Sequence, residues 1–264
     1  MTRELLPDAL WVRVKDLLPV HPPQPKGGRP WKEDRLALRG IIFVLKVNIP
    51  WESLPAEVFG VCGMTCWRRL RDWAEAGVWE RLQRLLEAEL GGQELIDWKR
   101  AAIDSTSVPA KRGGLLTGPN PTDRGRPGSK HHLVTDGAGL PLAESLTPAN
   151  THDSREALPL VDEIPRVKSP RGASRRRPGK LHADKGYDYP RVRQGLRQRH
   201  IQPRIARRGV ESSTRLGRHR WVVERTFAWL KFFRRLVIRY EVRDDIHFAF
   251  LQLACCLILV RRLS

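Results

Sequence analysis

From Arg215 to Tyr240 the chain contains no proline and, after Gly217, no glycine, so its backbone chemistry allows one helix of several turns. At about 100° per residue, Arg220, Glu224, Lys231, Arg234 and Arg235 fall in one narrow stripe, with Phe227 at the same azimuth. Val222, Val223, Thr226, Trp229, Leu230, Phe232, Phe233, Leu236 and Val237 cover most of the remaining circumference. A helix that is apolar nearly all round is mostly buried. This one presents a single carboxylate through a thin polar slot, with a cation one turn before it and more two turns after. Two readings stand. The stripe can be a solvated ion-paired face, with Arg220 and Glu224 as an i,i+4 pair. Alternatively, Glu224 faces a site in which Arg220 and Lys231 hold phosphates.

Charge narrows the choice. The 264 residues carry 48 Lys+Arg against 29 Asp+Glu, a formal net charge of +19. A soluble protein this basic most often meets a polyanion, and nucleic acid is the first candidate. The four cysteines, Cys62, Cys66, Cys255 and Cys256, have no second Cys or His pair at zinc-site spacing. They read as reduced, buried thiols of a cytosolic protein. The N-terminus lacks the pattern of a signal peptide. Ile246–Val260 is apolar but interrupted by His247 and Gln252, and it is shorter than the ~20 residues of a membrane span, so it reads as a core helix.

The first 96 residues have helical periodicity. Asp8 is placed to cap a helix through Leu18, and Asp34–Val47 is a second helix with Leu38, Ile41, Ile42 and Leu45 inward. Trp51–Phe59, a break at Gly60–Gly63, and Thr65–Ala76 suit a helix-turn-helix, with Thr65 as N-cap and Arg68, Arg69 and Arg71 supplying charge. An ordinary helical hairpin fits the same pattern. Val78–Leu90 is one more amphipathic helix, stopped by Gly91-Gly92.

Near Trp98 the character changes. Arg100–Ser107 is a short apolar run ending in an acid and reads as a buried strand that delivers Asp104. Gly113–Ser129 is a Gly/Pro-rich loop. His131–Thr135 and Leu140–Leu146 flank Asp136-Gly137, a hairpin signal. Thr151–Val161 reads as a helix capped near Asp153 or Ser154, Leu181–Asp184 as a second short strand ending in an acid, Tyr189–Arg199 as a helix and Ile201–Ile205 as a strand. The chain thus divides into a helical region, 1–96, and an α/β region, 97–264.

Two strands that each deliver an aspartate and a later helix that delivers a glutamate put Asp104, Asp184 and Glu224 at separations of 80 and 40 positions (184 − 104 and 224 − 184). Three carboxylates cannot converge in a low-dielectric site as bare anions, because mutual repulsion forces protonation. Hard divalent cations remove the conflict. Mg²⁺ takes a few carboxylate oxygens and keeps positions open for water and phosphate, and two such ions can activate a nucleophile and stabilise a leaving oxygen. Each acid alone also has an ordinary use as a turn or cap residue. His182 would share a face with Asp184 only if the strand continued, and His152-Asp153 reads first as a helix cap.

These residues resemble a known family, the DDE transposases of bacterial insertion sequences, in the group named after insertion sequence five. Ala102-Ile-Asp104-Ser-Thr resembles its first-Asp strand, and Gly118-Pro-Asn-Pro-Thr-Asp-Arg-Gly-Arg126-Pro-Gly-Ser-Lys130-His-His its glycine-rich loop. Thr147-Pro-Ala-Asn-Thr-His-Asp153 and Ala183-Asp184-Lys-Gly-Tyr-Asp resemble later blocks, and Arg220-x₃-Glu224-x₆-Lys231 resembles its Tyr-Arg-Glu-Lys signature. The likeness spans nearly the whole chain. The signature's Tyr falls on Gly217, so its role is absent or taken by Trp221 or another group.

The resemblance implies an RNase H-like core, a mixed sheet flanked by helices, behind an all-α, helix-turn-helix-like N-terminal domain. It implies that Asp104, Asp184 and Glu224 hold two Mg²⁺ ions, with Mn²⁺ as a possible substitute. Arg220, Lys231, Lys130, Arg126, Arg68 and Arg71 are the candidate phosphate and DNA contacts. The implied activity is nicking at element ends and attack of the freed 3′-OH on target DNA. The implied partners are terminal inverted repeats and target DNA, met as a homodimer or larger assembly, away from any membrane and in the nucleoid of the cytoplasm. An RNase H-like nuclease that only cuts, and a DNA-binding regulator with no chemistry, are the competing readings.

Overall fold

The apolar run expected around Asp104 is the central strand of a sheet. A computed structural model describes residues 4–23, 27, 30–170, 172–207 and 213–263, except for the side chains of 213–219. In chain order its elements are α1 (Asp8–Val14), α2 (Asp34–Val47), α3 (Ala56–Phe59), α4 (Gly63–Glu75) and α5 (Val78–Gly92), then β1 (Ala101–Pro109), β2 (Gly118–Pro119), β3 (Pro127–Asp136), β4 (Pro141–Pro148) and α6 (Asp153–Glu163). A two-stranded ribbon, β5 (Val167–Lys168) and β6 (Ser174–Arg175), leads to β7 (Lys180–Ala183), α7 (Pro190–Gln198), β8 (Gln202–Ile205), α8 (Ser213–Lys231) and α9 (Asp244–Leu263).

β3 runs antiparallel to both β1 and β4, whereas β7 runs parallel to both β1 and β8. The spatial order is therefore β4-β3-β1-β7-β8, with β2 added at the start of β3. Three antiparallel strands followed by two parallel ones, flanked by helices, form the expected RNase H-like α/β core. The Asp136-Gly137 hairpin is present. The Asp136 carboxylate accepts the N–H groups of Ala138 (2.9 Å) and Leu140 (2.8 Å) across the turn, and that of Asp97 at 2.8 Å.

α9 joins the two parts of the chain. It is long and apolar enough to cross a membrane, yet Ile246, His247 and nearly every residue from Ala249 to Val260 are buried inside the fold. A helix apolar all round needs neighbours on every side. Here α4 and α5 cover one part of its surface and β4 another. Trp51 stacks on Phe250 with ring centroids 5.7 Å apart. Each fully buried Leu, Ile or Phe in such a helix contributes about 1.5–3 kcal/mol, so the helical region and the sheet share one apolar core.

Local details depart from the sequence reading. The long helix expected to Tyr240 stops at Lys231. Phe232 N–H turns to Trp229 O and Phe233 N–H to Leu230 O, and Arg234–Leu236 forms a 3₁₀ turn. Phe233, Arg235 and Leu236 are all buried, which a straight helix could not achieve on one side. Arg234 and Arg235 therefore leave the Glu224 stripe, and Phe227, assigned to its azimuth, is buried. At the other end of the chain, α1 is shorter than expected: Asp8 begins the first turn after an N-cap at Pro7, and residues beyond Val14 tighten to 3₁₀. α4 begins at Gly63 behind an N-cap at Cys62, so Thr65 lies inside the helix. The start is set by close approach, since a Cβ on Gly63 would lie 1.7 Å from the Trp51 carbonyl oxygen. α6 is capped by His152, whose ring accepts the Ser154 N–H. Cys62 is exposed, whereas Cys66, Cys255 and Cys256 are buried free thiols.

Candidate active site

β1 and β7 pair in parallel through Ala101↔Leu181 and Ala102↔His182. Neighbours in register on adjacent strands point to the same face, so the same register two residues on sets Asp104 level with Asp184. Asp184 lies just past the last ladder residue with φ −79° and ψ −178°, still extended, and its carboxylate accepts the Gly186 N–H at 2.8 Å. Asp104 takes the Ser105 N–H on Oδ1 at 2.8 Å.

α8 brings the third acid. It packs on β1, β3 and β7 and is tied to the hairpin turn. Thr226 Oγ1 donates to Gly139 O at 2.7 Å, and the Arg225 guanidinium, held between Trp221 and Trp229, donates to Ala138 O. This attachment turns the polar stripe toward the strand-end acids. Arg220 Nη2 stands 3.5 Å from Asp104 Oδ2 and 3.4 Å from Glu224 Oε1. The i,i+4 pair exists, and it faces Asp104.

Electrostatics record the convergence. Burial pushes the Asp104 carboxyl up from 3.8 to about 6, and the charges of Asp184 and Glu224 push the same way. The Ser105 N–H and Arg220 oppose them without prevailing. Arg220 meets two carboxylates at long range, while its Nε has no partner among the described residues.

This donor set suits a hard divalent cation. It offers carboxylate oxygens on two adjacent strand ends and a helix, and a positive ion there would favour the charged form of Asp104 that burial and its acidic neighbours disfavour. Among the described residues no three His, Cys, Asp or Glu groups already stand at single-ion spacing. The guanidinium of Arg220 is the present counter-charge between Asp104 and Glu224. Glu224, with its side chain 57% exposed, has room to swing.

A second layer surrounds the acids. Ser105 Oγ donates to Asp153 Oδ1 at 2.8 Å, and the same oxygen pairs with Lys130 Nζ at 2.9 Å. Tyr187, in the turn after Asp184, is buried near the same carboxylates. Sequence reasoning read Asp153 as a helix cap and passed over Tyr187. Both sit in the blocks that carried the family likeness, but only the fold shows that these blocks meet at Asp104.

The other candidates are distributed around this centre. Lys231 ends α8, exposed, two turns beyond Glu224 on its face, about 10 Å along the axis. Lys130 is engaged by Asp153 and by Thr151 O at 2.8 Å. Arg126 is exposed on the loop entering β3, 3.9 Å from Asp123. Arg68 and Arg71 lie on α4, away from the acids. Arg68 is exposed, and Arg71 bonds Asp72 and stacks on Trp67. Both line a cleft of about 1010 Å³ with His21, Trp31 and Lys32. His182 is buried on β7, two residues before Asp184. The side chain position at Gly217 lies outside those described.

The chain is similar to several known proteins. The family model described as "Transposase DDE domain" matches residues 99–259, and one described as "Putative transposase of IS4/5 family" matches residues 6–83. A protein of Burkholderia cepacia named putative transposase for insertion sequence element IS402 is 59% identical over 160 residues, 61% of this chain and 74% of that protein. An uncharacterized 16.2 kDa protein of insertion element IS402 from the same organism is 46% identical over 125 residues, 46% of this chain and 84% of the relative. A solved Mos1 transposase paired-end complex with left transposon end is 14% identical and covers 84% of this chain and 82% of its own, with a TM-score of 0.27.

Proposed function

The chain belongs to the DDE transposases of bacterial insertion sequences, enzymes that cleave and join DNA with divalent metal, and we propose that Asp104, Asp184 and Glu224 are the acids with which it does so. The observation that carries this reading is the convergence of two level strand-end aspartates and a helix glutamate around Asp104, which burial lifts to about 6 with a further push from Asp184 and Glu224. A regulator without chemistry has no use for three acids gathered around one half-buried guanidinium.

Asp104 and Asp184 would hold two Mg²⁺ ions, or Mn²⁺ in their place, with Glu224 swinging in from α8. Bound there, the ions supply Lewis-acid activation of the attacking oxygen and stabilise the leaving one. Once the acids have that counter-charge, Arg220 is released from Asp104 and Glu224 to donate to a phosphate oxygen at the scissile bond. Lys231, farther along the same face, takes the next phosphate. In the first step water attacks phosphorus and the DNA 3′-oxygen leaves. In the second, that freed 3′-OH attacks a target phosphodiester and displaces its 3′-oxygen.

The division into residues 1–96 and 97–264 gives the two regions separate tasks. The two matching family models stop and start on either side of this boundary, at 83 and 99, which supports it. α4, with exposed Arg68 and the turn at Gly60 (φ +70°) before it, is the helix suited to reading the terminal repeats. Arg71 and Arg126 add phosphate contacts, whereas Lys130 acts through Asp153. Two element ends must be brought together for joining, so the active complex is at least a dimer, working in the nucleoid.

The test is the purified full chain with a plasmid bearing its element ends, a target plasmid and Mg²⁺. Metal-dependent joint molecules are expected. Nicks without joining would identify a nuclease, and binding without cleavage a regulator.

A further inference from the structure

Tyr187 closes the turn Lys185–Tyr187 that the Asp184 carboxylate caps. Its side chain is packed to 1% exposure, and its hydroxyl has no hydrogen-bond partner among the described residues. A buried phenol normally finds a partner, and one left without pays the desolvation of its O–H in full. The setting makes the omission specific. Burial pushes this hydroxyl to hold its proton well above the usual range, and the Asp104, Asp153 and Asp184 carboxylates, in that order, reinforce it. Tyr187 is therefore a buried donor that feels three carboxylates and bonds none of them. Asp104 meets Ser105 N–H and Arg220, Asp153 meets Ser105 Oγ and Lys130, and Asp184 meets Gly186 N–H.

Asp104 holds its second oxygen only by a long contact, 3.5 Å from Arg220. That contact is also the one the acid-site reading expects to break. Resting on that reading, we propose that Tyr187 is a positioning residue for the metal: when Asp104 turns from Arg220 to a divalent ion, the Tyr187 hydroxyl donates to its carboxylate and holds it in the ligating orientation. The metal-free protein keeps the hydroxyl unpaired, and the loaded protein uses it. Outer partners that orient a ligating carboxylate commonly contribute 10- to 100-fold in metal affinity, so an effect of about tenfold is expected.

The experiment is calorimetric titration of the full chain with Mn²⁺, comparing the parent, Tyr187→Phe and Asp184→Asn, with melting temperatures in metal-free buffer. Tyr187→Phe should weaken Mn²⁺ binding about tenfold, and its metal-free melting temperature should equal or exceed the parent's, because Phe removes an unpaired buried hydroxyl. DNA cleavage by the variant should be impaired at limiting Mn²⁺ and largely restored when Mn²⁺ saturates. Mn²⁺ affinity within twofold of the parent would overturn the proposal. A metal-free melting temperature several degrees lower would also overturn it, by showing that the hydroxyl serves the fold. Asp184→Asn separates this failure from a deeper one. If that variant binds Mn²⁺ as the parent does, the acid-site reading falls and Tyr187 with it. If it loses binding while Tyr187→Phe does not, only the role of Tyr187 falls.

Discussion

Two charged clusters lie along one stretch of chain, one before and one after the C-terminal end of α8, and they are built in opposite ways. After the helix, Arg235 sits 6% exposed and bonds Glu241 Oε1 through Nε at 2.8 Å and Nη2 at 2.6 Å, while Nη1 donates to Asn48 Oδ1 and Ile49 O, both at 3.1 Å. Arg239, 1% exposed, donates to Glu241 O, Ser129 Oγ and Val242 O. Burial alone would raise the Glu241 carboxyl, but His247 and Arg235 outweigh it and hold the group below its usual value. Before the helix ends, Arg220 reaches two carboxylates only at 3.4 and 3.5 Å, its Nε has no partner among the described residues, and burial pushes Asp104 up to about 6. Charges that hold a fold together are given short, multiple contacts. Charges kept for a ligand are left under-partnered, at a cost the rest of the fold must absorb.

The comparison breaks most sharply under substitution of the acids. Asp104→Asn, Asp184→Asn and Glu224→Gln keep volume but remove anionic oxygens, so each should lower cleavage of element-end DNA by about a thousandfold or more, equivalent to the several kcal/mol that metal-assisted charge stabilisation supplies. DNA affinity, from gel shifts, should stay within a few-fold, and melting temperature should hold or rise. A large loss of stability would place these acids with the structural cluster.

Arg235→Ala should do the reverse. It strands buried Glu241 and is expected to cost about 3–5 kcal/mol, a fall of roughly 10 °C in melting temperature for a chain of this size. Protein that remains folded should still bind Mn²⁺ normally. Lys231→Ala is smaller again. It should slow cleavage roughly tenfold and lower the salt dependence of DNA binding by about one phosphate contact, leaving the melting temperature unchanged.

The smallest effect concerns a buried acid in neither cluster. Glu144 is raised by burial from 4.5 to about 7, with only Gln83 (Nε2 to Oε2, 3.0 Å) and the Cys255 thiol to oppose it. Its folded value exceeds its unfolded one, so the unfolded chain ionises first. Stability should fall as pH rises from about 4.5 to 7 and level off above that. Glu144→Gln should flatten this part of the melting-temperature profile and raise stability by a few degrees at pH 8. A profile unchanged by the substitution would mean that Glu144 is already paired.

Much of this was legible from residue patterns, for identifiable reasons. α2, the Asp136-Gly137 hairpin and the two strands ending in acids follow from local periodicity and turn chemistry, which operate within a few residues. The separation of Asp104 and Asp184 becomes meaningful only through the parallel register of β1 and β7, a pairing across 80 positions (184 − 104). The break at Lys231 was invisible, because it is imposed by Arg235 reaching Asn48 and Glu241, contacts that no helical pattern encodes. Asp153 looked like a helix cap because its donors, Ser105 and Lys130, come from two other strands. Lys130, read as a phosphate contact, is held by that same Asp153.

The central claim is that Asp104, Asp184 and Glu224 form one metal-binding centre. Its most direct test is the anomalous scattering of Mn²⁺ in crystals of the full chain. The account predicts a peak at bonding distance, about 2.0–2.2 Å, from carboxylate oxygens of both Asp104 and Asp184, with Glu224 turned toward it and Arg220 moved away. Mn²⁺ bound elsewhere, with Arg220 still lying between Asp104 and Glu224, would contradict it.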